Sequence, residues 1–174
     1  MLEHPILKES LAAAFEGRVH LTDNLFSTHR AVVLFAHESS PLFNATIGTS
    51  LLNPKSTLQH DYYYQYLQAS LEREYAIIDL FIPSRKWKLK QTTAGTLEEI
   101  SLQHELLIYL WDNVLAVSGA KNIFFVGSGF PVYSLANLID CRQVEETLKG
   151  VVLFSSTFYL PITKQEKSEW YKKV

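Results

Sequence analysis

The residues best placed to do chemistry lie between an apolar run, Asn122-Ile-Phe-Phe-Val126, and a helical segment that opens at Pro131. Between them stand Gly127, Ser128, Gly129 and Phe130. Strand, sharp turn and helix in that order form the setting in which an acyl-transfer enzyme exposes a nucleophilic serine, written Gly-x-Ser-x-Gly. The glycines are needed because the turn crowds main chain against main chain. The central residue must lift its hydroxyl above the sheet. Aligning Gly127 with the first glycine puts Gly129 at the nucleophile position and Pro131 at the last glycine. Shifting the frame to Ser128 puts Val126 and Phe130 where glycines belong. Glycine has no side chain with which to attack, so residues 127–131 read as a vestigial nucleophile turn, and the sequence predicts no catalytic residue.

The base is missing from its usual place as well. A hydrolase of this kind orders its triad as nucleophile, acid, base. All six histidines (His4, His20, His29, His37, His60 and His104) precede Gly127. His37 and Ser39 follow an apolar run at the point where such enzymes place oxyanion-hole residues, so the two are candidates for a crevice. A polar loop at a strand end is the plainer reading. His60-Asp61 and His104-Glu105 are neighbours on expected helices, and adjacent helical residues point in different directions. No Cys/His spacing suits zinc. The expectation is therefore no metal and no cofactor.

Arg85, Lys86, Trp87, Lys88 and Lys90 make the strongest charge cluster, with four basic residues in the six from 85 to 90. Such a run can hold phosphate or an acidic partner, with Trp87 stacking. The favoured reading is a solvated loop. Tyr62 and Tyr66 are expected to pack inward with Leu58, which leaves Tyr63 or Tyr64 outward as interface material.

These residues need a scaffold, and the hydropathy pattern supplies one. Ala31-Val-Val-Leu-Phe-Ala36, Tyr75-Ala-Ile-Ile-Asp-Leu-Phe81, residues 122–126 and Val151-Val-Leu-Phe154 are apolar runs without alternation. Strands of that kind are buried on both faces, as in a parallel sheet. Residues 19–25 suit a short strand or an irregular link. Helical patterns are expected at 6–16, at 57–73 with Leu58, Tyr62, Tyr66, Ala69 and Leu71 inward, and up to Val117 with Gly119 just past the end. In that third helix Ile100, Leu107, Leu110, Trp111 and Val114 face inward. Further helices are expected at 131–139, around 143–148 and up to Trp170. Thr96-Leu-Glu-Glu99 and Thr163-Lys-Gln-Glu166 match capping boxes. Strands alternating with helices predict a three-layer α/β fold on a mostly parallel sheet, a reduced α/β-hydrolase-like architecture.

Bulk properties agree with one domain spanning residues 1–174. Apolar residues make up 47% of the chain, enough for a real core. Sixteen basic and eighteen acidic residues give a net charge of −2, which does not favour nucleic acid as a direct ligand. The single cysteine, Cys141, excludes an internal disulfide. No apolar run reaches the ~18 residues of a membrane span, and no secretory signal opens the chain. The expectation is a soluble intracellular protein.

Tyr109-Leu-Trp-Asp112, ten residues before the run Asn122-Ile-Phe-Phe-Val-Gly127, resembles the Argonaute-binding-protein-two (Arb-two) domain. So does Glu74-Tyr-Ala-Ile-Ile-Asp-Leu-Phe-Ile-Pro83. The likeness covers roughly residues 30–172 and is closest to the C-terminal domain of fungal class II histone deacetylases. A stand-alone version belongs to an Argonaute partner in small-RNA silencing. The resemblance implies a degenerate α/β-hydrolase that serves as a homodimerisation and assembly module. Its implied partners are subunits of a silencing complex and histones, in the nucleus, with deacetylase activity residing in another domain. Some members keep a serine in the turn, in a pattern such as His-Ser-Tyr-Gly-Gly. This chain reads Ser128-Gly129-Phe130-Pro131-Val132 there. On this resemblance the four strands stand in the spatial order second, first, third, fourth. His37 and the 127–131 turn then meet where the order reverses.

Overall fold

The computed structural model describes residues 19–27, 30–37, 62–82, 104–129, 131–154 and 160–174, with the side chains of residues 62–64 outside the description. Expectations for the 6–16 helix, Ser39, Leu58, His60-Asp61, the basic run at 85–90, the Thr96 capping box, Ile100 and Phe130 lie outside the described residues.

Five strands form one sheet: β1 (Val19–Leu21), β2 (Val32–His37), β3 (Ala76–Phe81), β4 (Ile123–Ser128) and β5 (Leu148–Phe154), in the order β1-β3-β2-β4-β5. The pairs β3/β2, β2/β4 and β4/β5 are parallel, and β1 adds to β3 antiparallel. The four expected strands therefore stand in the expected spatial order. The short strand at 19–21 closes one edge and passes into a turn at 23–27.

Burial on both faces explains why the strand sequences do not alternate. Every residue of β2 is buried, because both its edges are paired and both its faces are covered. Val32, Leu34 and Ala36 face one core with Ile78, Leu80, Ile123 and Phe125. Val33 and Phe35 face a second core with Ile77 and Val126. The first core is roofed by a helix over residues 104–118, called α2, and by α3 (Pro131–Cys141) and α4 (Gln165–Tyr171). The second core receives Leu67 from α1 (Tyr62–Glu72). Helix, sheet and helix make three layers.

Three helices depart from expectation in detail. In α1 the inward residues are Leu67 and Ser70, while Leu71 is 53% exposed. The Ser70 hydroxyl donates to Tyr66 O at 2.6 Å. Tyr66 is 38% exposed and sets its ring edge-on to Phe154, so it lies at the margin of that core. Residues 143–148 are not helical. They make one turn, closed by Leu148 N–H donating to Val144 O, after which Leu148 enters β5. Thr163 caps nothing with its side chain. Its hydroxyl donates to Asp140 instead, and the helix begins two residues later at Gln165.

Helix α2 buries Leu106, Leu107, Ile108, Leu110, Trp111, Val114 and Leu115. The helix passes through a π turn at Trp111–Leu115, in which Trp111, Val114 and Leu115 are buried. Gly119, at φ 71°, ends the helix in the left-handed conformation that glycine adopts without steric cost.

Candidate functional site

The sheet order reverses between β2 and β4, so the crevice of an open α/β sheet falls at the C-terminal ends of these two strands. His37 ends β2 and Ser128 ends β4, and the two are partners in the strand register. The structure thus places His37 beside Ser128 of the 127–131 turn.

Glycine is demanded at two positions around the end of β4. At Gly127 a Cβ would sit 2.4 Å from Cε1 of the buried Phe125 ring, so only glycine fits. Gly129 takes φ 73°, the left-handed region that costs other residues about 1–2 kcal/mol. Val132 N–H donates to Gly129 O at 3.2 Å, and Pro131 is buried at the first position of α3, where its missing N–H costs nothing. Gly129, just after β4, carries no hydroxyl. The Gly129 N–H donates to Phe154 O at 3.4 Å, which ties the end of β4 to the end of β5.

His37 Nε2 meets Asp79 Oδ1 at 2.8 Å. The contact occupies Nε2 and fixes the orientation of the imidazole ring against the carboxyl group. The two residues are 2% and 4% exposed, which shuts substrate away from both. His37 also holds the end of β3 through its carbonyl, which accepts Ile82 N–H at 2.8 Å, and its ring tilts against Phe81 at 5.8 Å. The pair ties β2 to β3 inside the sheet. Asp79 was not singled out by sequence reasoning. Its signal was a lone carboxylate inside Tyr75-Ala-Ile-Ile-Asp-Leu-Phe81, where burial demands a partner.

A second polar cluster binds the helices over the first core. Asp112, on the π turn, accepts from Arg142 Nε at 2.8 Å and Nη2 at 2.7 Å. This contact raises the Arg142 pKa against the opposing effect of burial. Burial pushes the Glu105 carboxyl up, an effect that Arg142 opposes and Asp112 reinforces. Lys167, 7% exposed, donates to Arg142 O and pairs with Glu145, both at 2.6 Å. Asp140 accepts Thr163 N–H and hydroxyl at 2.8 Å each and Lys164 N–H at 3.1 Å. Partial burial works against the Asp140 charge, but the Thr163 and Lys164 bonds outweigh it and hold the carboxyl below its usual range. The same balance, with Lys167 as the donor, holds Glu145 low. Trp111 is buried beside Asp112, so the Leu-Trp-Asp segment is a packing and staple element. Among the described residues no three His, Cys, Asp or Glu side chains gather as a metal site, and no helix is long and apolar enough to cross a membrane.

The sheet order and the helices on both its faces define a three-layer α/β domain on a mostly parallel sheet, a reduced α/β-hydrolase-like fold. The chain belongs to the Arb2-like domain family, which matches residues 1–174. It is 31% identical over 171 residues to histone deacetylase clr3 of Schizosaccharomyces pombe, covering 96% of this chain and 24% of that protein. It is 26% identical over 188 residues to histone deacetylase HDA1 of Candida albicans, covering 97% of this chain and 22% of that protein. The chain thus spans about a quarter of the length of these relatives. Among solved structures, the histone deacetylase Clr3 superposes with a TM-score of 0.60 at 24% identity, covering 95% of this chain and 29% of that one. A histone deacetylase from Saccharomyces cerevisiae gives 0.64 at 24% identity, covering 90% and 64%. These likenesses support the same fold.

Proposed function

We propose that the chain is a single non-catalytic, pseudo-hydrolase interaction domain of a class II histone deacetylase. It mediates dimerisation, complex assembly or histone contact in heterochromatic gene silencing, in the nucleus. The observation that carries this reading is Gly129, in the left-handed conformation just after β4, where the strand-turn-helix pattern calls for a nucleophile. The sealed His37–Asp79 pair supports it, since a base that substrate cannot reach serves architecture. The relatives that span the chain are histone deacetylases, which favours this role over that of a stand-alone Argonaute partner. Sedimentation velocity together with pull-down against deacetylase-complex subunits and histones tests it. Self-association or capture of a defined subunit or histone is expected. A monomer that captures none of them contradicts the proposal.

A further inference from the structure

We draw no further inference here: the strongest candidate, the outer edge of β5 (Leu148–Phe154), has no strand beside it among the described residues, and nothing in the structure shows what covers that edge.

Discussion

His37 on β2 and Asp79 on β3 are joined at 2.8 Å inside the sheet, with almost no exposure to solvent. Removing one partner deprives the other of a hydrogen bond in a place that water does not reach. Asp79→Ala should therefore cost about 1–3 kcal/mol of unfolding free energy. Asp79→Asn, which keeps a polar group of the same shape beside Nε2, should cost clearly less. Urea denaturation of both variants checks this. Equal losses would mean that a neutral acceptor of the same shape cannot stand in for the carboxyl group.

The two glycines around the end of β4 should respond differently from each other. Gly127→Ala drives a methyl into Phe125, whose ring is buried and has little room to yield. Overpacking of this kind costs about 1–3 kcal/mol. Gly129→Ala meets the cost of a left-handed φ, about 1–2 kcal/mol. Thermal melts of the two variants measure both. A neutral Gly127→Ala would mean that the turn has slack the structure does not show.

Much of this architecture was legible in the sequence. Unbroken apolar runs announced the parallel strands, and Gly119 marked the end of a helix. Burial on both faces holds for β2, but Val151–Phe154 of β5 is only half-buried, because β5 stands at the end of the sheet order and pairs with β4 alone. The His37–Asp79 pair was not legible, since it joins residues 42 apart and depends on strand register. The α1 face was mis-phased because tyrosine and leucine count as apolar yet stand half out of the core. The π turn escaped because Leu107, Leu110, Trp111 and Val114 are buried across it, as an uninterrupted helix would also have them. Thr163 looked like a cap, but Asp140, distant in sequence, takes its hydroxyl.

The staple on the π turn is bidentate and partly exposed, with side-chain exposures of 32% for Arg142 and 40% for Asp112. Solvent screening limits its worth to about 1 kcal/mol. Arg142→Lys keeps the charge but loses the fork, so it should forfeit most of that amount. Chemical denaturation of Arg142→Lys beside Arg142→Ala measures it. A lysine variant as stable as the parent would show that charge alone suffices.

Acid should loosen the C-terminal helix. Asp140 and Glu145 both titrate below their ordinary values of 3.8 and 4.5 in the folded chain. A lowered folded-state pKa stabilises the fold fully above the ordinary value, and that contribution disappears as pH falls through the folded value. The docking of α4, with Trp170 half-buried against the core, should thus be constant at neutral pH and weaken below about pH 4. Following the Trp170 indole by NMR from pH 7 to 3 tests this, with Asp140→Asn expected to reduce the acid dependence. An unchanged profile in Asp140→Asn would remove Asp140 from the account.

The central claim, that the turn after β4 holds no nucleophile, is tested most directly by ester turnover. Purified protein and its Ser128→Ala variant are assayed with an activated acetyl ester across neutral pH. We expect rates equal to buffer for both proteins. Turnover that persists through purification and disappears in Ser128→Ala would contradict the account, because a hydroxyl would then be attacking from the residue beside Gly129.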